Sequence, residues 1–212
     1  SIYEKKFPIR NKSSSSRRRQ STSDMVAAVA VESRGQAGAK AILKILNGTV
    51  NPSAKLTAGI CDSKVPTNVH EGLYGYRMCQ AANIKERYPF GYGISYTEFE
   101  YKDLKVTKRG VGFTLKNVGE VAGAEIAQLY VGKIDSMATK ARKQLRGFKK
   151  VYLEPGESVH VEIPFDSRAF RYYNTDTDSW EIEGGKYQVY VGASARHMKL
   201  FKEIEIPTSG AK

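Results

Sequence analysis

From Tyr96 onward, apolar and polar residues alternate with a period of two, and this alternation constrains the fold more than any other feature. Three segments show it most clearly, VGFTL (111–115), SVHVEIPF (158–165) and KYQVYV (186–191), and EIAQLYV (125–131) is a further, mostly apolar strand. Turn sequences separate them, as in LEPGES (153–158). About seven short strands with turns between them over ~110 residues are typical of a β-sandwich. We therefore predict an antiparallel sandwich over residues 96–208.

The region before the sandwich has a different pattern. MVAAVAV (25–31) suits a short buried strand, and GQAGAKAILKILNG (35–48) places apolar residues at helical spacing, with Gly48 where a C-cap glycine belongs. EGLYGYRMCQAANI (71–84) fits either a helix or an extended segment. A single strand–turn–helix unit cannot cover both faces of a sheet. We therefore predict an incomplete α/β remnant over residues 25–95.

The first 24 residues form a third segment, which is basic. The chain has a net charge of +12, and residues 1–70 hold twelve Lys and Arg against four Asp and Glu. KSSSSRRRQSTS (12–23) has no apolar residue to bury, so residues 1–24 are predicted to be disordered. No aromatic residue is interleaved with the arginines to stack on bases, which argues against a nucleic-acid partner. The longest apolar run is 25–31, far below the ~20 residues of a membrane span, so no membrane partner is expected.

Residues that could carry chemistry are few. The three histidines have no metal-binding spacing, and Cys61 and Cys79 form no CxxC pair. We interpret the cysteines as incidental thiols, with a disulfide bridge as the alternative. Glu71, Asp176 and Asp178 are better explained as solvated turn residues than as a glycosidase pair. The residues themselves thus predict no catalytic residue, no cofactor and no metal site.

An aromatic cluster, RAFRYYNTDTDSW (168–180), leaves two interpretations open. It can be a corner of the sandwich in which Trp180 fills the core. It can instead present Tyr172, Tyr173 and Trp180 as a platform that stacks on a sugar or on a protein partner. The first predicts a buried Trp180, and the second predicts exposed rings in a coplanar row.

Residues 88–101 read YPFGYGISYTEFEY, and this stretch resembles the linker of glycoside hydrolase family 3 enzymes, the β-glucosidase and β-xylosidase family. In that family it leads from the second domain of the catalytic region into a fibronectin type III-like domain. The resemblance implies a seam, in which residues 88–96 pack the sandwich onto the α/β domain. Its glycines would allow close backbone approach, and Pro89 would fix an extended entry.

Other motifs are similar to the same family in the same order. They are GQAGAKAILKILNGTVNPSAKL, EGLYGYR, KNVGEVAGAEIAQLYV, QLRGFKKVYLEPGES and RAFRYYNTDTDSWEIEGGKYQVYVGAS. The resemblance covers about residues 34–206. It implies a mostly β chain, with a fibronectin type III-like sandwich after the α/β remnant.

The resemblance also implies what the chain lacks. The family's nucleophilic aspartate lies in an N-terminal barrel, and its acid/base glutamate usually precedes the GQ motif, where residues 12–33 match nothing. We therefore expect a C-terminal fragment of a β-glucosidase-like glycosidase, inactive by itself, whose sandwich acts as a scaffold. The expected partners are carbohydrate, through the parent enzyme, and the missing catalytic domain. The remnant over residues 25–87 is expected to expose an apolar face and to promote self-association.

Overall fold

The computed structural model describes residues 37–61, 73–137 and 141–208. The helices are α1 (Gly38–Leu46) and α2 (Tyr76–Ala81). The strands are β1 (Ile60–Cys61), β2 (Glu86–Tyr88), β3 (Phe99–Val106), β4 (Gly110–Asn117), β5 (Gly123–Lys133), β6 (Gln144–Leu153), β7 (Ser158–Pro164), β8 (Arg171–Asn174), β9 (Ser179–Ile182), β10 (Gly185–Gly192) and β11 (Met198–Ile206). Two compact units divide the chain after Val50. None of the described helices has the length and apolar composition needed to cross a membrane.

The first unit contains α1, the helix that the apolar spacing predicts. Gly48 follows it with φ +79°, and its N–H donates to the carbonyl of Ile45 at 3.1 Å. Only glycine adopts this left-handed conformation at little cost, which ends the helix. No residue of α1 is buried, and Leu43 is 61% exposed. The predicted strand at 25–31 and the basic segment 1–24 lie outside the described residues.

The second unit is built on the predicted sandwich. One antiparallel sheet has the strand order β11-β10-β5-β6, and the other has the order β3-β4-β7. Together they have seven strands, and β4, β5, β7 and β10 correspond to the four segments named above. Alternate residues of each strand point inward, which puts the apolar ones in a single core. The most enclosed are Phe113, Leu115, Leu129, Val189 and Val191, each with no exposed surface.

Three further elements complete the second unit. The short strands β1 and β2 pair antiparallel before the sandwich, and α2 lies between them in the chain. Strands β8 and β9 form a separate two-stranded hairpin. The arrangement is mostly β, with few helices, as expected for the sandwich and a partial α/β region.

Candidate functional site

The segment 88–96, called the linker here, lies between two other backbones. Leu56 donates its N–H to the carbonyl of Tyr92 and accepts from the N–H of Gly91, both at 2.8 Å. On the other side, the carbonyl of Phe90 accepts from the N–H of Ala195 at 2.9 Å. The Phe90 ring also stacks on Tyr76 of α2, with ring centroids 4.6 Å apart. The linker is therefore held on both sides as a packed seam.

Gly91 makes the closest approach in this seam. Its φ is +76°, and a Cβ placed on it would lie 2.1 Å from Oε1 of Gln128. Gln128, on β5, is buried and donates to the carbonyls of Gly91 at 3.0 Å and Ala193 at 2.8 Å. Its Oε1 accepts from the hydroxyl of Tyr130 at 2.7 Å. The close backbone approach expected of the linker glycines is thus present, with Gln128 as the bonding partner.

Asn51 joins the start of the second unit to the end of the linker. Its Oδ1 accepts from the N–H of Tyr96 at 2.9 Å and from the hydroxyl of Ser95 at 3.0 Å. Its Nδ2 donates to the carbonyl of Ala122 at 3.0 Å, just before β5. One amide therefore ties three stretches of chain together. Neither the residue type of Asn51 nor its turn propensity predicts these three contacts.

Lys55 provides an ionic contact in the same seam. Its Nζ lies 2.8 Å from a carboxylate oxygen of Glu125 and 3.2 Å from the carbonyl of Gly93. The two charged side chains are only 10% and 7% exposed. Removing either member of such a pair is strongly destabilising, because it leaves the other charge buried and unpaired.

Two other carboxylates also lie beside basic side chains. Glu183 lies 3.1 Å from Nζ of Lys133, and Glu86 lies 3.2 Å from Nε of Arg196. Burial disfavours the charged form of Glu183, but hydrogen bonds from the Met137 N–H, the Ser136 hydroxyl and Lys133 outweigh this effect and hold the pKa of its carboxyl below its ordinary value. These groups are engaged in holding the fold, an arrangement that suits a scaffold better than proton transfer.

The hairpin corrects the prediction that Trp180 fills the core. Trp180 is 40% exposed and Tyr173 is 46% exposed. The two rings meet edge to face, with centroids 5.5 Å apart and planes at 71°, so they do not form the coplanar row of the alternative interpretation either. The Arg168 guanidinium lies 4.8 Å above the Trp180 ring. Strands β8 and β9 form a sheet separate from the two sandwich sheets, so their aromatic residues do not lie on the inner face of either one.

The third candidate residue, Tyr172, takes part in a polar cluster on the same hairpin. Its hydroxyl donates to Glu181 at 3.0 Å, and Nδ2 of Asn174 donates to the same carboxylate at 3.0 Å. The hydroxyl of Thr177 also donates to Glu181. The hairpin therefore presents exposed rings beside a hydrogen-bonded carboxylate.

The two cysteines lie together, although 18 residues separate them in the chain. Their Sγ atoms are 3.6 Å apart, and both are free thiols. Burial, followed by the hydrogen bond with Cys61 and the nearby Glu86 carboxylate, raises the pKa of Cys79 to about 12. The Glu86 side chain is fully enclosed, and its Oε1 has no hydrogen-bond partner in the described part of the chain. Sequence spacing gave no sign of this cluster.

Two protein-family models match the segments that meet at this seam. The model of the glycosyl hydrolase family 3 C-terminal domain matches residues 13–96, and that of the fibronectin type III-like domain matches residues 125–195. The expectation that residues 12–33 match nothing in the family was therefore wrong. The chain belongs to the C-terminal region of glycosyl hydrolase family 3. Within the family 3 match lie Asn51, Lys55 and Gly91, while Glu125 and Gln128 lie within the fibronectin type III-like match. The seam therefore joins the two family domains.

Relatives of known name agree with the family 3 assignment. Thermostable beta-glucosidase B of Acetivibrio thermocellus is 39% identical in an alignment that covers 81% of this chain and 26% of that protein. Probable beta-glucosidase K of Emericella nidulans is 37% identical over 78% of this chain and 22% of its own length. The chain thus spans about a quarter of the length of these curated relatives.

Solved structures of glucosidases share the fold. The beta-D-glucoside glucohydrolase from Trichoderma reesei superimposes with a TM-score of 0.75 at 32% identity, over 81% of this chain and 29% of that one. The GH3 beta-glucosidase of Bifidobacterium adolescentis gives the same TM-score and identity, over 81% of this chain and 28% of that one.

Proposed function

We propose that this chain supplies the C-terminal scaffold of a family 3 β-glucosidase. The parent reaction is retaining hydrolysis of terminal β-D-glucosyl residues, by double displacement through a covalent glycosyl–enzyme intermediate. The observation that carries this proposal is the seam. Gln128 and the Lys55–Glu125 pair link the fibronectin type III-like region to the family 3 region through buried polar contacts. Contacts of this kind suit a fixed support better than a tethered, independent module.

The chain by itself does not catalyse this reaction in our proposal. Retaining glycosidases need two carboxyl groups about 5 Å apart that flank the sugar. In the described ranges, Glu86, Glu125 and Glu183 are each bound to a basic side chain. Asp178, a candidate from the sequence, accepts a hydrogen bond from Tyr173 on the exposed hairpin. The carboxylates for catalysis would come from a family 3 catalytic domain, which we propose as the protein partner, and carbohydrate would be met through that domain.

Hydrolysis of an aryl β-D-glucoside and an aryl β-D-xyloside by the purified chain tests this proposal. The matched control is the same chain reduced to residues 51–212, the second compact unit. We expect neither protein to release phenol above the rate of the buffer. Release that scales with the concentration of the full chain, and is lost in the shorter one, would place a catalytic site in residues 1–50 and overturn the proposal.

The exposed hairpin supports a second candidate function, direct binding of carbohydrate. Tyr173 and Trp180 offer apolar ring surface beside the polar groups around Glu181, a combination that sugar-binding sites use. Affinity electrophoresis in gels containing soluble β-glucan tests it. Retardation that disappears in Trp180→Ala would support binding. The matched control is Phe201→Ala, which removes another half-exposed ring, one that packs on Tyr190 of the sandwich. Equal mobility in gels with and without glucan would exclude this function.

We propose that the chain binds neither nucleic acid nor a membrane. The proposal rests on the absence of aromatic residues among the arginines of residues 12–23 and on the short apolar runs of the sequence. Binding to a DNA oligonucleotide that weakens steeply with salt, and is lost on removal of residues 1–24, would contradict it.

A further inference from the structure

Three elements of the second unit bring potential metal ligands together. Cys61 ends β1, Cys79 lies in α2, and Glu86 begins β2 directly opposite Cys61 in the antiparallel register. The two Sγ atoms and a carboxylate oxygen of Glu86 all lie within 4.8 Å of one another. Cys79 and Glu86 are buried, and Cys61 is half-buried.

The spacing of the sulfur atoms fits tetrahedral coordination. With Zn–S bonds of about 2.3 Å, the sulfur atoms of two thiolates on one tetrahedral zinc lie roughly 3.8 Å apart. The observed separation between the Sγ atoms is 3.6 Å. This edge of a tetrahedron is therefore already close to its final length without a metal ion.

Glu86 provides an independent indication of a missing ligand. Its side chain has no exposed surface, and its Oε2 is held by Nε of Arg196 at 3.2 Å. Its Oε1 has no hydrogen-bond partner within the described residues. A carboxylate oxygen enclosed without a partner is costly, and a metal ion would satisfy it. Gly59 leaves room for this oxygen, since a Cβ there would lie 2.2 Å from it.

Arg196 balances the charge that such a site would carry. Two thiolates and one carboxylate around a divalent cation leave one net negative charge, which the guanidinium neutralises. The same guanidinium donates to the carbonyl of Ile84 at 2.9 Å, which fixes its position beside Glu86. Partners that orient a ligating carboxylate in this way are a regular part of metal sites.

We propose that Cys61, Cys79 and Glu86 form a binding site for a zinc-class divalent cation. The three side chains supply two sulfur ligands and one oxygen ligand, and water or an external ligand takes the fourth position. Binding exchanges the two thiol protons for the metal ion and releases them to solvent, without any change of oxidation state. Spacing in the sequence predicted no metal site, and the proposal rests on the tertiary arrangement alone. Bound metal would join α2 to the β1–β2 pair.

Cobalt binding to the full, unaltered chain tests the site directly. The chain is reduced with a thiol-free phosphine, freed of metal, and titrated with Co²⁺ while the absorption spectrum is recorded. We expect a thiolate-to-cobalt charge-transfer band and intense tetrahedral bands that saturate at one equivalent and vanish when Zn²⁺ is added. A spectrum without a thiolate band at saturation would overturn the proposal, and so would an unchanged spectrum.

Single substitutions test which side chains bind the metal ion. Cys61→Ser and Cys79→Ser should lose the charge-transfer band at one equivalent of Co²⁺. Arg196→Gln should weaken affinity about 10- to 100-fold, as expected for a residue that orients a ligand, and Glu86→Gln should weaken it further. The exposed Glu120→Gln is the matched control and should bind as the original chain does. Undiminished affinity in Glu86→Gln would refute the three-ligand site, and so would a retained band in either serine variant.

Discussion

Replacement of Gly91 by alanine tests the packing of the seam at its tightest point. The backbone there has φ +76°, and the added Cβ would lie 2.1, 2.8 and 2.9 Å from three atoms of the Gln128 side-chain amide. Real Cβ atoms do not approach other heavy atoms this closely, so the amide must move. Its movement breaks hydrogen bonds to the carbonyls of Gly91 and Ala193, which are 3.0 and 2.8 Å long.

The cost can be estimated from these contacts. The left-handed conformation disfavours alanine by about 1 kcal/mol, and each of the two lost hydrogen bonds contributes about 1 kcal/mol. We therefore expect Gly91→Ala to lower the free energy of unfolding by about 3 kcal/mol. Gly156 provides a matched control, because its φ is +78° and no atom lies within 4 Å of an added Cβ. Gly156→Ala should cost only the conformational part, about 1 kcal/mol.

Urea unfolding followed by circular dichroism measures both changes, as shifts in the midpoint at constant slope. The double variant Gly91→Ala/Gln128→Ala adds a further check, since removing the amide removes the clash. Its total cost should be smaller than the sum of the two single costs. Equal costs for Gly91→Ala and Gly156→Ala, or strict additivity in the double variant, would refute the contact between Gly91 and Gln128.

Three further predictions concern stability and association. Glu183→Gln should flatten the acid side of the stability curve, because the folded pKa of this carboxyl is lowered: its contribution is present above the ordinary carboxyl pKa and is lost as the pH falls through the folded value. A variant whose urea midpoint falls between about pH 6 and pH 3 as much as that of the unaltered chain would contradict this. Asn117→Ala should lower the free energy of unfolding by about 3 kcal/mol, because the fully buried amide is hydrogen-bonded to Thr97 and to the carbonyls of Val121 and Leu153. A urea midpoint that shifts no more than in surface variants would contradict this prediction. Removing residues 1–50, which include the exposed apolar Leu43, should reduce self-association in sedimentation velocity, and a concentration-independent monomer for the full chain would refute that prediction.

The sandwich was predictable because its signal is local. Each strand alternates inward and outward side chains, so Phe113, Leu115 and Val189 could be placed in a core without knowing their neighbours. The close approach at Gly91 followed from the family resemblance. The contact with Gln128 could not be predicted, because Gln128 is 37 residues away in the chain and approaches Gly91 only once β5 has folded.

The interpretation that placed Trp180 in the sandwich core was wrong, because Trp180 is 40% exposed. The aromatic cluster 168–180 was interpreted as a corner of the sandwich with Trp180 in the core, but residues 171–182 pair with each other as a hairpin instead. Tyr173, within the hairpin, and Arg168, which precedes it, lie against the Trp180 ring. The turn sequence NTDTDS between the strands was visible, but its strands are only four residues long, too short for an alternation signal.

The cysteine cluster could not be predicted from spacing. Cys61 and Glu86 are opposite each other only because β1 and β2 pair in that register. Cys79 reaches them because α2 packs in the same region, with Sγ atoms 3.6 Å apart. Metal motifs that can be read from sequence place ligands a few residues apart on one element, whereas these three come from separate elements.

Exchange of this chain into a relative tests the central claim most directly. In such a hybrid, residues 34–206 of this chain replace the matching region of thermostable beta-glucosidase B of Acetivibrio thermocellus, so that the carboxylates expected before the GQ motif stay those of the relative, and hydrolysis of an aryl β-D-glucoside is measured. If the chain is a family 3 scaffold held together by its seam, the hybrid hydrolyses the glucoside, and Gly91→Ala within it lowers the temperature at which activity is lost. A hybrid that unfolds cooperatively yet releases no phenol would contradict the scaffold function.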